Sequence, residues 1–154
     1  MSSDARRYLR YLRSERDAGR MYRALAQLAD GERAEALTEL AEIEDRHAAH
    51  WESKLREAGQ PIPEDPGQLE PGSAALVDRA RRSSLGSVLP DLEAAERQAQ
   101  GDYDDEPDAL PGMAADEHRH AQVLHDMQDG VETSDPTSVS SPDAAGPSGP
   151  AHDR

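Results

Sequence analysis

The stretch AEIEDRHAAHW, from Ala41 to Trp51, has the composition of a helix but places a carboxylate and an imidazole on the side that a helix buries. Apolar residues recur around it at three- and four-residue spacing, at Leu37, Leu40, Trp51 and Leu55. Glu44 and His47 lie in the middle of this stripe. Because burying such groups alone costs several kcal/mol, on the order of 2–7 for a neutral polar group and more for a charge, the stretch predicts a compensating partner.

Three further helical segments show the same interruption of an apolar stripe. Their stripes are Tyr8, Tyr11, Glu15, Ala18, Tyr22, Leu25 and Leu28; then Leu89, Leu92, Glu96, Ala99 and Tyr103; then Leu110, Met113, Glu117, His120, Leu124 and Met127. Glu93 lies beside Glu96, because residues three apart are neighbours on a helix. Every stripe therefore has a carboxylate near its centre, and two also have a histidine.

The order of helical and non-helical segments predicts an all-α fold. Helical patterning covers residues 3–28 and 32–58, then resumes over 74–100 with a break near Gly86 and Pro90. The segment 59–73 contains four prolines and three glycines, which favours a long crossover rather than a helix. Four helices joined by a short turn, a long crossover and a second short loop are typical of a four-helix bundle.

The last helix and the residues after it set the boundary of the predicted domain. GDYDDEPDALPG, over 101–112, indicates a loop, and the last helix is expected to end near Gln128. We therefore predict one bundle domain over residues 1–128. Residues 129–154 are rich in Ser, Pro, Asp and Gly, which predicts a disordered acidic tail.

The polar residues on the four stripes are expected at the same height. If the first two helices turn near Asp30, Glu15 lies 15 residues before the turn, and Glu44 and His47 lie 14 and 17 after it. Five carboxylates buried together would repel one another unless cations neutralise them. Two Glu-x-x-His pairs with glutamates from the other two helices are the ligands that bundles use for two iron or manganese ions. The predicted ligands are Glu15, Glu44, His47, Glu93, Glu96, Glu117 and His120.

The alternative is an ordinary bundle in which each Glu-x-x-His is a solvated pair on a helix face. One such pair is common, but two at matching heights with further glutamates favour the metal site. Other polar residues fall off the stripes: Asp116 is expected to be solvated or to support a ligand, and His50 to lie on the surface. Tyr11, Tyr22 and Tyr103 are expected in the core.

Composition excludes several other kinds of site. The formal charge of −15, from 17 Lys+Arg against 32 Asp+Glu, disfavours binding to nucleic acid or anionic membranes and favours cations as ligands. The absence of cysteine excludes disulfides, thiolate metal sites and thiol nucleophiles. No segment has the length and apolarity of a signal peptide core or a membrane span, so we expect a cytoplasmic protein.

These motifs resemble the rubrerythrin branch of the ferritin-like superfamily. The resemblance lies in four stretches: SERDAGRMYRALA, EIEDRHAAHWESKL, VLPDLEAAERQA and AADEHRHAQVL. These stretches look most like the rubrerythrin-like domain that precedes the membrane part of some vacuolar-iron-transporter-type proteins. It implies bridging roles for Glu44 and Glu117, and terminal roles for Glu15 and Glu93. It implies nitrogen ligands from His47 and His120. Glu96 would be an additional, catalytic glutamate that exchanges with the first histidine.

The resemblance also implies an activity: a di-iron oxidoreductase, either a peroxidase or a ferroxidase, that oxidises Fe(II) with hydrogen peroxide or oxygen. The four-cysteine module that passes electrons to the iron in rubrerythrin is missing, so turnover would need an external electron donor. A homo-oligomer is expected by analogy with the family. The alternative is a non-catalytic module that binds Fe²⁺ or Mn²⁺ and buffers or delivers it to a partner such as a transporter.

Overall fold

The computed structural model of the protein describes residues 1–128 and is all-helical over that range, which confirms the predicted all-α class. The described part contains five α-helices and one short 3-10 turn at Leu85–Ser87, with no strand. The helices are α1 Ser3–Ala26, α2 Gly31–Glu57, α3 Pro71–Arg82, α4 Leu89–Asp104 and α5 Met113–Gln128. The predicted tail, 129–154, lies outside the described residues.

The third helical run of the sequence forms two helices rather than one with a kink. Helix α3 starts at Pro71, three residues before the expected start, and ends at Arg82; α4 starts at Leu89. Pro90 lies in the first turn of α4, where the missing backbone N–H removes no hydrogen bond. Helix α4 also continues to Asp104, so the first four residues of the expected 101–112 loop are helical.

The helices pack as two antiparallel pairs. Helix α1 lies along α2, to which a four-residue connection joins it, and α4 lies along α5. Contacts between α2 and α5 join the two pairs, and α3 packs against α1. None of the helices within residues 1–128 has both the length and the apolarity needed to cross a bilayer.

The apolar interior is divided into two clusters at opposite ends of these helices. The first, which we call the aliphatic cluster, contains one aromatic ring among aliphatic residues: Met21, Tyr22, Leu25, Leu37, Leu40, Ala41, Val77, Ala80, Leu85, Val88, Leu89, Leu92 and Leu124. The second, the aromatic cluster, contains four: Tyr8, Tyr11, Leu12, Ala48, Trp51, Leu55, Tyr103 and Met113. The polar stripe residues fall between these clusters along each helix.

Two residues that the sequence assigned to buried stripes are exposed. Leu28 follows the end of α1 and is 39% exposed, and Leu110 precedes α5 and is 47% exposed. Both predictions of burial are wrong for the same reason. The apolar pattern extends beyond the helix, and outside the helix the periodicity no longer sets which way a side chain points.

Leu25 and Leu28 provide a matched test of this packing. Leu25 is fully buried, so Leu25→Ala should lower the free energy of unfolding by about 2–5 kcal/mol, the usual cost of truncating a core leucine. Leu28→Ala should change it by about 0.5 kcal/mol or less. Chemical denaturation of both variants measures the difference, and equal losses would show that Leu28 is buried as Leu25 is.

Candidate metal centre

Six charged or titratable side chains are buried between the two apolar clusters. None is more than 5% exposed, and they come from four different helices: Glu15 on α1, Glu44 and His47 on α2, Glu96 on α4, and Glu117 and His120 on α5. The structure therefore brings together six of the seven predicted ligands.

The six residues form two overlapping groups. In the first, Glu15, Glu44, His47 and Glu117 each offer one oxygen or nitrogen atom, and these atoms all lie within 4.8 Å of one another. In the second, the same holds for Glu44, Glu96, Glu117 and His120. Glu44 and Glu117 belong to both groups. Each group has the number, kind and spacing of donors that one metal ion requires.

The two Glu-x-x-His pairs face each other in a crossed arrangement. His47 Nδ1 on α2 lies 3.1 Å from Glu117 Oε1 on α5, and His120 Nδ1 on α5 lies 3.0 Å from Glu44 Oε1 on α2. The two imidazole rings are nearly parallel, with centroids 6.5 Å apart. Each histidine thus lies beside the glutamate of the opposite pair, as an approximate twofold relation between the helical pairs requires.

Two tyrosines repeat the crossed arrangement on α1 and α4. Tyr22 lies seven residues after Glu15 on α1 but donates its phenolic hydrogen bond to Glu96 on α4. Tyr103 lies seven residues after Glu96 but donates to Glu15. Burial and the negative charge of the accepting glutamate raise the pKa of both phenols, so each remains a hydrogen-bond donor at neutral pH.

Glu93 is not part of the cluster. Its carboxylate accepts hydrogen bonds from Arg97 at 2.6 Å and from Gln128 Nε2 at 2.6 Å, and lies 3.1 Å from His125 Nδ1. Residues three apart on a helix differ by about 60° in direction. The buried side of α4 follows Leu92 and Glu96, so Glu93 is turned towards the edge facing α5. Among residues 1–128, the glutamate of α4 that belongs to a donor group is Glu96 and not Glu93, to which the resemblance gave the terminal role.

Asp116 supports one histidine of the cluster. Its Oδ2 lies 2.9 Å from His47 Nε2, and the residue is partly exposed. Such a carboxylate holds the imidazole with the other nitrogen, here Nδ1, directed at the cluster. His120 Nε2 is buried with no hydrogen-bond partner among residues 1–128. The residue before Glu117 is Asp116, whereas the residue before Glu44 is Ile43, which has no acceptor.

Sequence reasoning found most members of the buried cluster but missed the contacts that surround it. It left Asp116 open between a solvated and a supporting role, and the structure gives the supporting one. It placed His50 on the surface, but His50 is half-buried and its Nε2 lies 2.6 Å from the carbonyl oxygen of Asp108. The hydrogen bonds of Tyr22 and Tyr103 to the cluster had a sequence signal: each tyrosine lies seven residues after a cluster glutamate, and so on the same face of its helix.

The cluster contains more acidic than basic side chains, with four glutamates against two histidines. Burial raises the pKa of the Glu44 carboxyl well above its usual range, and the charge of Glu15 raises it further. Burial likewise raises the pKa of Glu117 to about 9. Burial lowers the pKa of His47, but its contacts with Glu117 and Glu15 outweigh this and raise it to about 10. Glu44, Glu117 and His47 would therefore hold protons at neutral pH unless another cation neutralised the cluster.

Five donor atoms of the cluster lack a hydrogen-bond partner within residues 1–128. They are Glu15 Oε2, His47 Nδ1, Glu96 Oε2, Glu117 Oε1 and His120 Nε2. His47 Nδ1 and Glu117 Oε1 are close, but their orientation is not that of a hydrogen bond. Buried polar atoms are normally paired. All five atoms belong to residues of the two donor groups, so divalent metal ions fit the cluster, and oxygen with imidazole nitrogen suits iron, manganese or zinc.

Comparison of the chain with protein-family models, with characterised proteins and with solved structures gave no match.

The raised pKa values predict how the metal-free protein responds to pH. Glu117, with an ordinary pKa of 4.5, and His47, with an ordinary pKa of 6.5, both bind protons more tightly when folded. Stability should therefore fall as pH rises from about 5 to about 9, because the folded state holds protons that the unfolded state has released. Melting temperatures measured in a chelator should decline across this range and recover on addition of Mn²⁺.

Two variants sharpen the pH test. Glu117→Gln removes one of the shifted groups and should flatten the decline, whereas Glu93→Gln, outside the cluster, should leave it unchanged. A melting temperature that stays level or rises with pH in the metal-free wild-type protein would show that the cluster does not hold the extra protons.

Proposed function

We propose that the chain is a rubrerythrin-like di-iron protein of ferritin-like fold that oxidises Fe(II) and reduces hydrogen peroxide or oxygen. The observation that carries the proposal is the pair of overlapping donor groups, which are buried, contain unpaired donor atoms and share two glutamates. Helices α1, α2, α4 and α5, which supply the donors, would form the four-helix bundle. Such a ligand set, with one carboxylate from each of two helices and Glu-x-x-His from the other two, is typical of di-iron and di-manganese bundles.

The shared glutamates define how two ions would be held. Glu44 and Glu117 would bridge both ions because each belongs to both groups. Glu15 and His47 would complete the coordination of one ion, and Glu96 and His120 would complete that of the other. When bound, two ferrous ions supply the two electrons that reduce one peroxide.

The chain's own residues prepare the centre for this chemistry. The two apolar clusters on either side exclude bulk water from the donors. Tyr22 and Tyr103 fix the orientation of Glu96 and Glu15 through hydrogen bonds, and Asp116 fixes that of His47. Carboxylates held in place in a dry site favour the more highly charged ferric state.

The roles proposed for Glu93 and Glu96 change from those that the resemblance implied. Glu96 belongs to one donor group, so we assign it as a terminal ligand, whereas Glu93 is bound to Arg97, Gln128 and His125 outside the centre. A glutamate that exchanges with His47 is therefore not part of the proposal. An external electron donor, a homo-oligomer and a cytoplasmic location remain parts of it.

The assignment of ligands predicts a pattern of metal stoichiometry. The wild-type protein should bind two Mn²⁺ per chain. Glu44→Ala and Glu117→Ala each remove a shared ligand and should weaken both sites by at least about a hundredfold, since even supporting residues cost ten- to a hundredfold. Glu15→Ala and Glu96→Ala should each leave one tight site. Glu93→Ala should still bind two.

Calorimetric titration with Mn²⁺ and elemental analysis measure this pattern. Loss of a metal in Glu93→Ala together with two metals in Glu96→Ala would reverse the assignment on α4. Equal behaviour of all five variants would refute a shared two-metal site.

Rapid mixing of the anaerobic ferrous protein with peroxide and with oxygen tests the oxidoreductase activity. Fast oxidation with about one peroxide consumed per two ferrous ions is the expected result, because two electrons are needed for each peroxide. Glu117→Ala is the control that should react no faster than free iron. Tight binding of two ions without such oxidation would instead identify a metal-binding module that buffers or delivers Fe²⁺ or Mn²⁺.

A further inference from the structure

Four aromatic rings form a continuous stack beside the metal centre, which we call the aromatic stack: Tyr8, Tyr11, Trp51 and Tyr103. The Trp51 ring centroid lies 4.6 Å from that of Tyr11, 5.6 Å from that of Tyr8 and 5.9 Å from that of Tyr103. Tyr11 and Tyr103 also approach each other directly, at 5.1 Å. Every neighbouring pair is thus within the usual range of aromatic contact.

The inner end of the stack is bonded to a proposed ligand. Trp51 Nε1 donates a hydrogen bond to the Tyr103 hydroxyl at 3.1 Å, and this hydroxyl in turn donates to Glu15. All three residues are buried. The stack therefore meets the metal centre through a continuous chain of polar contacts.

The outer end reaches the surface. Tyr8 and Tyr11 are each 8% exposed, while Trp51 is fully buried. The Tyr8 hydroxyl donates to Asp108 at 2.7 Å, and the Tyr11 hydroxyl donates to Glu106 at 3.0 Å. Each outer phenol thus has a carboxylate positioned to accept its proton.

Among residues 1–128, no such stack lies on the opposite side of the centre, although the centre itself is nearly symmetric. Tyr22 donates to Glu96 as Tyr103 donates to Glu15, but Tyr22 lies in the aliphatic cluster and is its one aromatic ring. Supporting a ligand glutamate therefore does not require neighbouring aromatic rings. The residue seven after Glu44 is Trp51, whereas the residue seven after Glu117 is Leu124, so the sequence itself creates the difference.

We propose that the aromatic stack carries electrons one at a time from a one-electron donor at the outer face, beside Tyr8 and Tyr11, to the metal centre. The proposal rests on the proposed function for the direction of flow. Electron transfer weakens steeply with distance, so short steps between oxidisable rings are faster than one long step. Tyrosine and tryptophan are the side chains of this chain that can be oxidised and restored in this way.

The electrons and protons balance at each step. With metal bound, Tyr103 would give one electron to the oxidised centre and its phenolic proton to Glu15, and it would recover the electron from Trp51 and the proton from Glu15. Trp51 takes an electron from Tyr11, whose phenolic proton moves to Glu106. The external donor returns one electron to Tyr11, and the proton returns from Glu106. In sum the donor loses one electron, the centre gains one, and every ring is restored.

The test places fluorine-labelled tyrosine at position 103 of the full chain and keeps redox-inactive Zn²⁺ in the buffer. A flash-generated ruthenium(III) tris-bipyridine complex oxidises the protein from solution, and the sample is frozen for electron paramagnetic resonance. Fluorine splitting identifies a radical at position 103. Because no iron redox chemistry is involved, the result does not depend on whether the proposed oxidoreductase activity is correct.

The expected result is a fluorine-split radical at position 103 in the otherwise unchanged protein. Tyr8→Phe/Tyr11→Phe, which keeps both rings but removes the oxidisable phenols, should reduce it at least about tenfold. Denaturation curves establish that this variant is folded. An undiminished signal in the folded variant would overturn the proposal, because the oxidant would then reach Tyr103 without the outer rings.

The matched control places the same label at position 22. Tyr22 has an equivalent hydrogen bond to a cluster glutamate but lies among aliphatic side chains, so it should give less than about a tenth of the signal at position 103. A merely structural role for the stack predicts no difference between the two labels. Equal signals would therefore also overturn the proposal.

Discussion

The arrangement of this protein depends on one electrostatic constraint: four glutamates and two histidines are buried together without enough partners. Burial raises the pKa values of Glu44 and Glu117, and several donor atoms of the six residues are unpaired within residues 1–128. A layer of this kind between two apolar clusters would weaken the fold unless cations occupied it. Metal binding and folding are therefore expected to be coupled.

The centre is close to symmetric, and its departures from symmetry carry the functional information. Each histidine faces the glutamate of the other helical pair, and each tyrosine supports the glutamate of the other helix. Within residues 1–128, His47 is the one histidine of the cluster with a carboxylate, Asp116, behind it, and the aromatic stack lies on the side of Glu15 alone. Two chemically similar metal positions would therefore differ in support and in access for electrons.

The sequence predicted the helices and most of the cluster because burial and helical periodicity are local signals. Glu44, His47, Glu117 and His120 all interrupt regular stripes, and the structure buries all four. It placed both Glu93 and Glu96 in the cluster, but only Glu96 lies there, since the two differ by about 60° on the helix and the packing of α4 decides which of them is buried.

Contacts between helices could not be predicted from the sequence, because they depend on how the helices pack. The Asp116–His47 and Tyr103–Glu15 bonds join residues 69 and 88 positions apart, so no local pattern reports them. The division of the third run into α3 and α4 was signalled by Gly86 and Pro90, but whether such a break kinks or ends a helix depends on what packs around it.

Anomalous X-ray scattering from crystals grown with Mn²⁺ tests the central claim most directly. We predict two peaks about 3.5–4 Å apart within the buried cluster, one beside Glu15 and His47 and the other beside Glu96 and His120, with Glu44 and Glu117 between them. No peak within the cluster, or peaks only at carboxylates outside it such as Glu93, would contradict this prediction.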